Sequence, residues 1–301
     1  MKLTLRAFYL FMMGAFVVSC GGNSIEVDND ADENDVNVVD EDLADVPVHT
    51  QIGGKMFSIP SPIQMVNMIK DNISTFNEEL ITNPENVANF TTEFKRAINM
   101  GIYGADLGYA TIYENNTKAV SYLSSIEKLS DELGIAGAFD QELLERFIDN
   151  GNNQDSMLVI MSEGYREGDR FLKDNEEHDV ATLILTGGWI EAMYFAAVSY
   201  EDTKDQDIAN RIGEQKTALG TIIELLEDYN TEEMYTDLIN DLKELEAEFE
   251  KIEFNYTYVE PVHNVKEHET TIKSKSSVKI EGGVLESIIE KVKNIRNGLI
   301  G

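Results

Sequence analysis

The chain has 301 residues, with 56 acidic against 24 basic side chains, a formal charge of −32 and a single cysteine. That balance argues against nucleic acid as a partner, because phosphate backbones are held by basic surfaces. One cysteine leaves no intrachain disulfide and no thiolate metal cluster.

At the start of the chain, Lys2 and Arg6 form a short basic segment, an apolar run extends from Ala7 to Val18, and the run stops at Ser19-Cys20. This is the layout of a secretory signal peptide. The run is shorter than the roughly 20 apolar residues of a permanent membrane-spanning helix, and no second such run is expected later in the chain. Val17-Val18-Ser19-Cys20 resembles the lipobox of bacterial lipoproteins. The resemblance implies that residues 1–19 are a signal peptide removed on export and that Cys20 becomes an acylated amino terminus. Several acyl chains give a stable membrane anchor where one would be marginal.

From Gly21 to Thr50 there is no Lys or Arg, while acids recur from Glu26 to Asp45. Dense like charge with few apolar residues cannot bury enough surface to offset ordering entropy, so residues 20–57 are read as the lipid-bearing cysteine and a disordered acidic tether. Asp28-x-Asp30-x-Asp32 has the spacing of the first three calcium-loop ligands, but the turn glycine would fall at Glu33 and the bidentate carboxylate at Val39, so no metal is assigned there. In lipoproteins of Bacteroidota an acidic cluster after the acylated cysteine resembles a signal for surface export. Here Gly21-Gly22-Asn23-Ser24 intervenes, which leaves the periplasmic and the surface face both open.

Residues 58–301 are read as one helical domain. Ser61-Pro62 joins an N-cap residue to proline at the first helical position, ahead of Ile63, Val66, Met68 and Ile69. Asn83-Pro84 repeats the signal before Val87, Phe90, Phe94, Ile98 and Ile102 at helical spacing. Thr117 to Leu133 sets Val120, Leu123, Ile126 and Leu129 on one face and stops at Gly134. Further helices are read at 138–149, 154–173, 177–200, 206–229, 232–252 and 284–299, with a short irregular or β-like segment near 254–281. Helices with short connections predict an all-α, multi-helix antiparallel bundle.

Two stretches echo one another. Gly101 to Tyr109 and Gly187 to Tyr194 each pair small residues with an acid-x-x-Tyr step, and the i, i+3 spacing of Asp106 with Tyr109 and of Glu191 with Tyr194 puts both side chains on one helix face. Two explanations stand side by side: two pseudo-symmetric helical halves, or separate close crossings rich in small residues.

The region from Met161 to Leu172, continuing to Glu191, concentrates glycines, the only tryptophan, and carboxylates at Glu163, Glu167, Asp169 and Glu191. A glycine inside a helix costs about 1 kcal/mol relative to alanine, which implies close backbone approach or a break. One reading is a cleft walled by Trp189 and Tyr194 beside Glu191; the other is that Trp189 is core and the glycines admit a neighbouring helix. The candidate binding face is Asp106, Tyr109, Trp189, Glu191 and Tyr194, and no residue is assigned as catalytic.

His263 and His268 with Glu267 and Glu269 could hold a transition metal weakly, but a solvated loop is the favoured reading, so no metal and no cofactor is assigned. The sequence contains no His-Glu-x-x-His, phosphate loop, dinucleotide signature or nucleophile elbow. Asp155-Ser156-Met157 resembles a short O-glycosylation motif of Bacteroidota envelope proteins, which needs an exposed serine. Lipobox, acidic tether, glycine-rich helices and the closing Val292 to Ile300 together resemble uncharacterised all-helical lipoproteins of Bacteroidota, a likeness that brings no activity with it.

The expectation is an outer-membrane lipoprotein of the cell envelope, periplasmic or surface-facing, whose folded domain is a non-enzymatic binding or structural module. Its partners would be the membrane, through lipid on Cys20, and another envelope protein or a glycan. The alternative is an envelope hydrolase with Glu191 and Asp106 as general acid and base, which requires both carboxylates in one accessible pocket.

Overall fold

The computed structural model describes residues 75–138, 141–231, 233–264, 269–271 and 275–301, together with 48–52, 55–59 and Lys70. Cys20, the acids that follow it, the helix read after Ser61-Pro62, and His268 lie outside the described residues.

Val48–Ile52 (β1) and Lys55–Ile59 (β2) pair antiparallel, with Ile52 opposite Lys55. The connection left by this register is Gly53-Gly54, a composition suited to two-residue hairpin loops. Paired chain therefore begins at Val48, inside the stretch assigned above to the tether.

The second correction concerns Asn83-Pro84. Asn83 does cap a helical turn, its side chain accepting from the Glu85 amide at 3.1 Å, but the turn is a 3-10 segment over Pro84–Asn89 that ends at Phe90 in extended backbone. The long helix starts afresh at Thr92, whose hydroxyl accepts from the Lys95 amide at 3.1 Å, and spans Glu93–Ile112 (α1). The irregular segment before it survives burial because side chains satisfy its carbonyls. Tyr103 donates to Asn83 at 3.1 Å, Ser125 donates to Pro84 at 3.0 Å, and Tyr122 donates to Thr82.

The remaining helices follow the sequence pattern closely. Asn116–Leu133 (α2) ends at Gly134, whose φ of +76° lets the chain turn in the left-handed region open to glycine. Gln141–Asp149 (α3), Gln154–Asp174 (α4) and His178–Thr203 (α5) come next. The single helix read over 206–229 is broken into Gln206–Glu214 (α6) and Lys216–Tyr229 (α7) at Gln215, which is buried and accepts from the Trp189 indole at 3.2 Å. Thr236–Phe249 (α8) and Val284–Ile300 (α9) complete an all-α multi-helix bundle.

Two helices form its centre. Every residue of α1 from Ala97 to Ile112 is buried, and α5 is buried over most of its length. Among the described residues, α5 alone is long and apolar enough to cross a membrane, contrary to the expectation that no such run follows the signal; its apolar length serves the core instead. α2 packs on α1, while α9 packs on α5 and α8. β1 lies against α5 and β2 against α7.

The β-like segment forms strands. Glu253–Thr257 (β3) pairs antiparallel with Lys275–Lys279 (β6), and Val262–Asn264 (β4) with Glu269–Thr271 (β5). Four residues separate β3 from β4 and three separate β5 from β6, so the β4–β5 pair falls between the two strands of the β3–β6 ribbon in the chain.

Candidate functional site

α1 and α5 touch through Gly101 and Gly187. A Cβ on Gly101 would strike the Ile184 carbonyl oxygen and the Gly188 amide nitrogen, and one on Gly187 would strike the Ile98 carbonyl oxygen and the Ile102 amide nitrogen. Each glycine thus meets the third residue before and the first residue after the other, a local twofold relation between the two helices. The acids fall just outside it. Asp106 lies five residues past Gly101 and Glu191 four past Gly187, yet both turn toward the same interior point.

The third participant comes from α9. Arg296 Nε donates to Glu191 Oε2 and its Nη2 to Oε1, each at 2.9 Å, a bidentate pairing of planar groups. Nη2 also donates to the Leu80 carbonyl at 3.2 Å, and the guanidinium carbon sits 4.3 Å from the centre of the Tyr194 ring. Glu191 and Asp106 are 0% exposed and Arg296 is 5% exposed.

Asp106 Oδ2 accepts from the Thr82 amide at 3.1 Å and from the Thr82 hydroxyl, while no donor points at its Oδ1. Two buried carboxylates beside one guanidinium cannot both ionise without a large penalty. Burial, reinforced by the charge on Glu191, pushes Asp106 well above the usual carboxylate range, and Thr82 and Arg296 offset only part of this. Burial also pushes Glu191 up, but direct contact with Arg296 and a hydrogen bond from Asp106 oppose it. Of the two carboxyls Asp106 is the one raised further, so it holds the proton while Glu191 stays ionised against Arg296. Burial, then the nearby Asp106 carboxyl, raise the Tyr103 and Tyr122 phenols, keeping both as neutral donors.

Three members of the candidate face, Asp106, Glu191 and Tyr194, therefore meet around Arg296. Tyr109 does not join them. It is fully buried in an aromatic cluster, with ring centres 5.4 Å from Phe76, 4.6 Å from Tyr113 and 5.0 Å from Phe195, and its oxygen accepts from the Asn77 amide at 3.1 Å. Trp189 is core, not a cleft wall, because its indole is buried and bonded to Gln215.

Of the other acids noted, Glu163 pairs with Arg146 at 2.9 Å and Asp169 with Lys173 along one helix. Ser156 is half-buried in the first turn of α4. Among the described residues no group of three or more His, Cys, Asp or Glu is placed to hold a metal.

Sequence reading missed Arg296 and Thr82. Arg296 had left a signal: it stands four residues past Val292 and three before Leu299, in the apolar stripe of α9, where a charge requires a buried partner. Thr82 had no pattern around it.

A cleft of about 380 Å³ opens elsewhere, where the end of α5 faces α9, lined by residues including Tyr200, Lys204, Glu290, Lys293 and Asn297. Its Glu201 pairs with Lys293 at 2.7 Å. Neither Asp106 nor Glu191 lines it. Comparison of the chain with protein families, with curated proteins and with solved structures gave no match.

Proposed function

We propose that this chain is an exported cell-envelope lipoprotein, anchored through lipid on Cys20, whose helical domain is a binding or structural module and not an enzyme. The likeness of Val17-Val18-Ser19-Cys20 to a lipobox supports the anchor. The sealing of Asp106 and Glu191 supports the second half. General acid–base catalysis needs a group within hydrogen-bond reach of substrate, and these two carboxyls are wholly buried, Asp106 held by Thr82 and Glu191 by Arg296. A raised carboxyl is one mark of a hydrolase acid; without access it acts as internal adhesive between α1, α5 and α9. The open cleft, with amide, carboxylate, ammonium and tyrosine groups, suits a polar ligand such as a glycan.

The anchor is tested by replacing Cys20 with Ala and fractionating cells: membrane retention should be lost, and unchanged retention overturns the assignment. The module reading is tested by incubating the full chain with envelope glycan and assaying new reducing ends. No release is expected. Release that a folded Asp106→Asn chain fails to produce would establish the hydrolase instead.

A further inference from the structure

The β3–β6 ribbon holds aromatic rings in solvent. Phe254, Tyr256 and Tyr258 are 49%, 66% and 68% exposed, and every residue of β3 is exposed. Among the described residues β6 is the only strand paired with β3, so the outer edge of β3 offers backbone N–H and C=O groups without a ladder partner. Its charge is also distinctive. Residues 253–279 contain four glutamates and four lysines, in a chain whose formal charge is −32. Two copies of so acidic a molecule repel one another over most of their surfaces, and the ribbon is a place where they can approach without that penalty.

β3 is self-complementary where β6 is not. Antiparallel pairing of β3 with its own copy, about a twofold axis at Asn255, sets Phe254 opposite the partner's Tyr256 and Tyr256 opposite the partner's Phe254. Such cross-strand aromatic pairs are favourable. Glu253 then falls opposite the partner's Thr257, so no like charges meet, and it keeps its own Lys279 at 3.0 Å. The same operation on β6, about Ser277, would set Lys275 opposite the partner's Lys279 twice over.

We propose that two copies of this chain associate edge to edge through β3, forming a four-stranded antiparallel sheet in the order β6, β3, β3, β6. A strand of five residues offers far less contact than the 20–30 residues a side of a standard stable interface, so the dimer is reversible and concentration-dependent.

Cysteine cross-linking of the full chain tests the register. Asn255→Cys places two thiols face to face across the axis, within disulfide reach, and should give a covalent dimer under mild oxidation; Ser277→Cys, on the far strand, should stay at the background set by Cys20 in the unsubstituted chain. Sedimentation equilibrium of charge variants tests the pairing independently. Thr257→Glu sets glutamates opposite one another at two positions and should weaken association about tenfold, whereas Thr257→Lys should strengthen it. Thr257 is exposed and lies opposite Lys275 of its own chain, so Thr257→Glu should not lower the thermal midpoint of the monomer and Thr257→Lys should not raise it, the reverse of their effects on association. A cross-link through Ser277→Cys and not Asn255→Cys overturns the proposal. So does association that is absent at high concentration, or unmoved by both Thr257 variants.

Discussion

The centre of this molecule and its ribbon invert the usual distribution of side chains. Charged groups at Asp106, Glu191 and Arg296 are sealed where α1, α5 and α9 meet, while Phe254 and Tyr256 on β3 and Tyr258 just past its end stand in water. The buried charges persist because each finds a partner and one carboxyl keeps its proton. Among the described residues Phe254 has the Lys216 ammonium 5.9 Å from its ring centre, yet all three rings stay largely in solvent, which suits the ribbon to contact and the centre to holding helices together.

Mutation should separate the two regions by magnitude. The largest effect belongs to Glu191→Ala, which strands the Arg296 guanidinium in the core; urea unfolding should show a loss of about 3–5 kcal/mol. A loss under about 1 kcal/mol, the scale of an exposed ion pair, would mean that water reaches the cluster and that the contrast with the ribbon is false.

Gly101→Ala comes next, because its methyl would meet the Ile184 carbonyl and force the central helices apart, at about 1–3 kcal/mol. Gly298→Ala, in α9 with nothing within 4 Å, should instead gain up to about 1 kcal/mol. Equal effects at the two sites would remove the evidence for close approach.

A pH series sharpens the account of the centre. The folded state holds on Asp106 a proton that the unfolded chain releases near pH 4, so this group's contribution to stability is greatest below that pH. It then falls, by up to about 1.4 kcal/mol per pH unit, until the pH reaches the raised folded value. Asp106→Asn mimics the protonated acid and should flatten that limb, matching the parent near pH 4 and exceeding it near pH 7. Parallel curves would place the proton elsewhere. The smallest effect belongs to the ribbon: Tyr256→Ser should change monomer stability by less than about 0.5 kcal/mol, since the ring is two-thirds exposed, at 66%.

What the sequence disclosed divides along similar lines. The amphipathic helices from Asn116 onward were legible because a 3.6-residue stripe with a cap or a glycine stop needs only local information. The break at Gln215 was not, and the partner of its buried side chain, the Trp189 indole, lies 26 residues away in sequence. Asn83-Pro84 misled because proline marks the start of a turn and not its length. The hairpin at Val48–Ile59 carried a Gly-Gly signal masked by the acidic composition before it. At the centre, Asp106 and Glu191 were found as an echo between two helices, but their sealing could not be foreseen, because it rests on Arg296 from a third helix and on the backbone of Thr82.

That dependence orders events in time. Arg296 is 105 residues from Glu191 and 216 from Leu80 in sequence. A chain lengthening from its amino terminus holds two interior acids with no counter-charge until Arg296 has been added, and contacts of such separation are slow to close. A chain lacking Arg296 therefore buries Glu191 with no cation beside it and loses the ion pair that joins α9 to α5.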